Sequence, residues 1–493
     1  MHHRSAPLAL LVLASLFALA PMVAPLAAQE PREQKEPGEQ KGPGEQKGAP
    51  VTQKKSEPVT EERLKAAYID AQAACAKVLG IEFEKLPPLS IADTDSMAAI
   101  ITAENLPLIQ LREPDKEKAM AEAERTGQSL STMVYAKYSW SEKSFKVVTD
   151  TWNTNARVLK RPALTSDHAV RAVMVHELCH AIDDLKFDFT KCLLRADTVD
   201  AVMAFNSVIE GHAQLMARRV CSKSGWMDGF DAFTDSIGAL PKMLLDQSAT
   251  SFLLRANAAA ISTAYVDGER FAAAVVEARP ETGSKDMFTS PPRDSETILN
   301  PKWYVDPKSR PTLLYDVEPA IDAFVAGFDE KVWTSTRNSA TGKQLATGLT
   351  MLPQSEIDTI LTSLRSARIV QLVPTAAPQS KVAIMIAMEF ASEEAARNWI
   401  RISGMVSDYK DDTMDKGSLR ITGSKTTVLE GEPLTGLMQE KKMRNGRLDF
   451  DVATIDAHKG RIVVETIFSG EPPTADEHGK LVAKLLDAVI ERK

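Results

Sequence analysis

The segment Ala172–Val173–Met174–Val175–His176–Glu177–Leu178–Cys179–His180–Ala181 sets two histidines four residues apart on an apolar, helix-forming background. On a helix, such residues lie one above the other on one face. Their ring nitrogens can then share one metal ion at about 2.0–2.1 Å. Glu177, beside the first histidine, is placed to face water at that metal and take its proton. The chain has only 8 histidines, so this spacing seldom arises by chance. Two imidazoles and a carboxylate on an apolar helix also need partners, because burying them without any is costly.

Hydrolytic zinc chemistry needs three protein ligands and one open position. Glu210 is the best candidate for the third ligand, in Ser207–Val208–Ile209–Glu210–Gly211–His212–Ala213. Asn206, Glu210, Ala213 and Ala217 form one stripe of a predicted helix. Gly211, beside that stripe, lets another helix approach closely. His212 is a rival ligand or a donor to a transition state, and its bland alternative is a partly exposed histidine. Asp183 or Asp184 could orient a ligand imidazole, or could simply be solvated at a helix end.

The elements that would hold these residues follow from periodicity and capping. Glu61 to Leu79 carries Leu64, Tyr68, Ala71, Cys75 and Val78 at helical spacing. Val134 to Thr149 reads as a hairpin, with strand formers on both sides of the Ser139–Ser144 turn. A helix from Ser166 to about Asp184 takes Thr165 or Ser166 as its cap. A second helix spans about Thr198 to Val220, and Ala256 to Ala278 is rich in alanine and predicted helical. From Gln354 the pattern changes. Strands are expected at Ile369 to Val373, Val382 to Phe390, Leu419 to Val428, Leu448 to Thr454 and Arg461 to Ile467. Helices are expected at Glu393 to Val406 and Ala475 to Glu491. This suits an α+β unit with helices on one face of an antiparallel sheet. The predicted division is therefore residues 59–350 and residues 354–493, with the boundary itself between about Tyr304 and Gln354.

The pairing of HELCH with IEGHA resembles the gluzincins, zinc peptidases that take two histidines from one helix and a glutamate from the next. It is similar above all to poorly characterised exported bacterial members. These follow the helix with Y-x-x-G-x-x-F and a PP-x-x-S-x-x-I-L-H-P-x-x-Y stretch. Here those stand as Tyr265–Val266–Asp267–Gly268–Glu269–Arg270–Phe271 and Pro291–Pro292–Arg293–Asp294–Ser295–Glu296–Thr297–Ile298–Leu299–Asn300–Pro301–Lys302–Trp303–Tyr304. The resemblance covers about Tyr135 to Tyr304 and not the C-terminal unit.

It implies a mostly helical zincin-like domain with a small edge sheet. In it His176, His180 and Glu210 hold Zn2+, and Glu177 is general base and acid. The hairpin would supply the edge strand along which an extended peptide lies. Asn300 stands where the group has histidine; it can donate a hydrogen bond but carries no charge. Tyr265, His212 and Asn300 are the candidate oxyanion donors. The expected activity is peptide hydrolysis. The alternative is a weak or inactive zincin-fold scaffold that works through a protein partner of its C-terminal unit.

Formal net charge is -8, with no basic excess for nucleic acid. Leu8 to Ala20 is apolar and runs into small residues ending at Ala27 and Ala28, as in a secretory signal peptide over residues 1–28; the alternative is an uncleaved N-terminal membrane anchor, since apolar residues continue through Pro21 and Pro25. Residues 29–58 repeat EQK between Pro and Gly and read as a disordered linker. Periplasmic or secreted location follows as an expectation, with no membrane span after signal removal. Export permits disulfides among Cys75, Cys179, Cys192 and Cys221. Cys192–Cys221, flanking the second motif, is the preferred pair; Cys179 is expected as a small buried hydrophobe.

Overall fold

The computed structural model describes residues 57–492 except 82–85, 111–114, 133, 194, 197, 248–260, 262, 343–344, 346–352, 376–380, 414–418, 432–433 and 446–447. The expected signal segment and nearly all of the linker lie outside the described residues. Among those described, no helix is long and apolar enough to cross a membrane.

The helical part opens with α1 (Glu61–Leu79), β1 (Leu89–Ile91), α2 (Thr94–Gln110) and α3 (Lys116–Ser131). The hairpin is β2 (Ala136–Ser139) and β3 (Ser144–Val147), followed by α4 (Thr149–Val158). The motif helices are α5 (Asp167–Phe187) and α6 (Val199–Ser224), followed by α7 (Met227–Gln247), α8 (Gly268–Ala278), α9 (Gly283–Thr289) and α10 (Ser295–Leu299). β1 pairs parallel with β3 and β2 pairs antiparallel with it. The three-stranded sheet therefore has the order β1-β3-β2, with β2 on an edge.

Local chemistry explains where the motif helices start and stop. Ser166 caps α5, its hydroxyl accepting from the Ala169 N–H at 3.2 Å. Thr198 caps α6 in the same way at 3.1 Å, and Gly225 ends it with φ 76°. Residues Val173 to Asp184 of α5 are all buried, so this helix runs through the middle of the core. Leu64, Tyr68 and Cys75 of α1, Phe145 and Val147 of β3, Ala213 and Cys221 of α6 and Phe230 of α7 share that core with it.

The remaining chain carries α11 (Glu318–Val325), β4 (Trp333–Ser339), α12 (Gln354–Ser363), β5 (Leu364–Pro374), β6 (Val382–Phe390), α13 (Glu393–Thr413), β7 (Leu419–Leu429), β8 (Thr435–Asn445), β9 (Leu448–Lys459), β10 (Ile462–Gly470) and α14 (Ala475–Ala488). The seven strands form one antiparallel sheet ordered β4-β5-β6-β10-β9-β8-β7. The layout is α+β in two parts, as expected.

One expectation about this sheet is corrected. Helices cover both of its faces, not one. Ile384, Ile386 and Met388 of β6 pack with Trp399 and Ile402 of α13, while Ala383, Met385 and Ala387 pack with Phe324 of α11 and Leu485 of α14. The cause is that both alternating sets of β6 are apolar, so neither face can be left to water. β4 belongs to this sheet as well, its residues Trp333 to Ser339 pairing with Pro374 to Arg368 of β5.

All four cysteines are free, which overturns the Cys192–Cys221 pair. Cys192 lies before the N-terminus of α6 and Cys221 in its last turns. The helix between them spans about 30 Å, far beyond the reach of a disulfide. Cys192 packs with Phe189 and Phe288, whereas Cys221 joins Cys75 and Cys179 in the core around α5.

Two carboxylates, buried Asp200 and partly buried Glu296, pin α10 to both parts. Asp200 of α6 accepts from the Ser295 N–H at 3.1 Å and hydroxyl at 2.6 Å. Glu296 Oε1 accepts from the Gly342 N–H at 2.7 Å. Burial pushes Asp200 up to about 6 and Glu296 up to about 7. A folded pKa above the unfolded one gives stability that is full below about pH 4 and is lost as pH rises through 6 to 7. Thermal melts should therefore show a lower Tm at pH 8 than at pH 5. Glu296→Gln should flatten that slope, by on the order of 1–2 kcal/mol after allowing for partial exposure.

Candidate metal centre

α5 and α6 lie side by side and bring His176, His180 and Glu210 to one point. The Nε2 atoms of His176 and His180 are 3.0 Å apart. Glu210 Oε2 is 3.2 Å from the first and 3.4 Å from the second. Ligands at 2.0–2.1 Å around a tetrahedral ion stand about 3.3 Å from one another, so these spacings match three corners of such a site. Both imidazoles are buried, and Glu210 is partly so. The group could hold a metal ion. Its nitrogen, nitrogen and oxygen donors are of the kind that hold a divalent transition-metal ion.

The electrostatics follow from this crowding. Burial opposes charge on His180, but the Glu210 carboxylate outweighs it and raises the pKa. Burial likewise pushes Glu210 up, and the two imidazoles overcome this and hold it well below the usual carboxylate range.

Glu177 is buried at 7% exposure, and its Oε2 accepts the Tyr138 N–H of β2 at 2.5 Å. The edge strand thus orients the carboxylate. Tyr265 lies in a π-turn over Thr263–Asp267 that leads into α8. Turns of this kind often mark functional positions. Its ring stacks on His176 at 5.7 Å between centroids. Burial, then Glu210 and Glu177, raise its hydroxyl pKa well above the ordinary value, so the phenol keeps its proton at neutral pH.

His212 and Asn300 point elsewhere. His212 Nδ1 meets Asp183 Oδ2 at 2.6 Å and Nε2 meets Ser284 Oγ at 3.0 Å, so neither ring nitrogen is left for the metal or an oxyanion. The Asn300 amide donates to the Glu296 carbonyl at 2.9 Å and caps α10. Asp183 and Asp184 are buried rather than solvated, and neither bonds a ligand imidazole. Asp184 instead takes the Tyr138 hydroxyl at 2.9 Å, the Lys143 amine at 2.5 Å and the Phe189 N–H at 3.0 Å, locking the hairpin to α5.

Lys137 and Glu104 carried no sequence signal. Lys137 sits on β2 and pairs with buried Glu104 at 2.9 Å. Burial works against its charge, and Glu104, helped by Glu177 and Glu210, raises its pKa. A cation held this way beside two carboxylates is a new feature of the site's rim.

No protein-family model and no curated protein matches the chain. A solved structure from Chloroflexus aurantiacus, described as a candidate hydrolase with a novel fold, aligns at 19% identity over 52% of this chain and 93% of that one, with a TM-score of 0.34. A likeness this loose carries no weight for fold or chemistry.

Proposed function

We propose that this chain is an exported zinc-dependent peptidase of the gluzincin type, with His176, His180 and Glu210 as metal ligands. The observation that carries the reading is the convergence of these three donor atoms within 4.8 Å, with the Glu177 carboxylate fixed beside them by the edge strand. When bound there, zinc would supply Lewis acidity, polarising a peptide carbonyl and making water more acidic.

The protein's own groups would do the rest. Glu177 would take a proton from the attacking water and pass it to the departing amine. The Tyr138 N–H holds that carboxylate in one orientation, which keeps the base pre-positioned. Tyr265, protonated and within the buried site, would donate to the developing oxyanion. Strand β2 would pair with an extended substrate along its free edge, and Lys137 would add a positive charge at the rim.

Metal analysis of the purified full chain, followed by digestion of a peptide library with and without chelator, tests the reading. About one zinc per chain and chelator-sensitive cleavage are the expected results. Stoichiometric zinc with no cleavage of any peptide would favour a scaffold, and no bound metal would remove the centre itself.

A further inference from the structure

One turn beyond His180, α5 presents Asp183 to a second constellation. Asp183 Oδ2 meets His212 Nδ1 at 2.6 Å, and His212 Nε2 meets Ser284 Oγ at 3.0 Å. The three residues come from α5, α6 and α9 and all line one cavity of about 320 Å3. Asp183 and His212 are buried at 3% and 4% exposure, while Ser284 is half-buried at the cavity wall. We propose that Ser284, His212 and Asp183 form a second reactive centre, a serine nucleophile for small acyl esters that works without metal.

The distances and the order of contacts carry this. A carboxylate on Nδ1 fixes the imidazole tautomer, so that Nε2 presents its lone pair to the serine hydroxyl. That is the arrangement an activated serine requires: nucleophile to base, base to orienting acid, each within hydrogen-bond reach. Packing alone would be met by an apolar contact between α6 and α9. Instead a buried Asp183–His212 pair ends on one hydroxyl, and that hydroxyl borders a space large enough for a small ligand.

The cavity also indicates the substrate class. Val78, Leu79 and Met216 give it an apolar wall, and exposed Lys186 and Arg219 also line it. A short acyl chain carrying a terminal carboxylate would match both. Ser284 Oγ would bond to the acyl carbon while its proton passes to His212 Nε2. The ester C–O bond would break, and the leaving alcohol would take that proton. Water would then give a proton to His212, add to the acyl carbon and release the acid, and His212 would return the proton to Ser284. Asp183 keeps its bond to His212 Nδ1 throughout.

The assignment does not rest on the metal-centre reading, and one experiment separates them. The full chain, zinc-loaded or chelator-treated, is incubated with an alkyl fluorophosphonate. Intact mass and peptide mapping locate the adduct, and hydrolysis of 4-nitrophenyl hemisuccinate is followed in parallel. We expect one adduct per chain, on Ser284, in both metal states. Ser284→Ala should lose labelling and esterase activity while melting like the parent. Asp183→Asn and His212→Gln should each slow labelling by at least ~100-fold. If either variant fails to fold, the other carries the comparison. No adduct on Ser284, or labelling as fast in a folded Asp183→Asn or His212→Gln variant as in the parent, would overturn the proposal.

Discussion

Glu177→Gln should lower peptide hydrolysis by at least ~100-fold while zinc content stays at the parent level. The contrast between these two readouts comes from what Gln keeps and what it loses. Its amide oxygen still accepts the Tyr138 N–H, which holds the parent carboxylate at 2.5 Å, so the side chain and the β2 edge should stay in place. Its volume is nearly unchanged in a site where Glu177 is 7% exposed, so no cavity or clash arises. It cannot accept a proton at neutral pH, and that function alone is removed. His176, His180 and Glu210 are untouched, so affinity for zinc should be close to normal. Steady-state cleavage of a library-derived peptide and metal analysis on one preparation provide the measurements. A variant that turns over at the parent rate would remove Glu177 from the chemistry, whatever the metal content.

Where the chain states a pattern locally, the sequence shows the structure. The helix Glu61–Leu79 was legible to the residue, and the caps Ser166 and Thr198 mark the starts of both motif helices. Glu210 was legible because small residues on its stripe leave room for another helix. What failed to show was set by distant partners. The strand β8, Thr435–Asn445, reads as Gln439–Glu440–Lys441–Lys442 in its middle and looks like loop. It is a strand because β7 and β9 flank it and supply its backbone partners on both sides. β4 is polar for the opposite reason, since it lies at a sheet edge. His212 looked like a metal-site residue by adjacency to Glu210. Residues two apart on a helix diverge by about 200°, and that turn carries the ring to Asp183 and Ser284 instead. Ser284 has no local signal at all, because the contact that makes it interesting comes from 72 positions away.

The same geometry makes Gly211 the position where one methyl group should do most damage. α6 and α8 cross there with backbone against backbone. A Cβ on Gly211 would stand 2.0 Å from the Gly268 carbonyl carbon, 2.2 Å from its oxygen and 2.5 Å from its Cα. No rotamer change relieves such a contact, because every atom involved is main chain, so the helices must separate. The Arg218–Glu269 ion pair that also links them resists that movement. Glu210 is the neighbour of Gly211 on one helix, and Tyr265 lies three residues before Gly268 on the other. Separation would therefore spoil the metal site as well as the core. Gly211→Ala should cost about 3 kcal/mol or more of stability and weaken zinc binding ~10–100-fold, read by denaturant unfolding and metal titration. Gly479→Ala provides the contrast, since an added Cβ there meets only Leu434 at 3.8 Å. In the middle of α14 it should leave zinc binding alone and stabilise by up to ~1 kcal/mol. If Gly211→Ala instead unfolds and binds zinc like the parent, the two helices do not cross at these glycines, and the route by which Glu210 reaches the two imidazoles must be different.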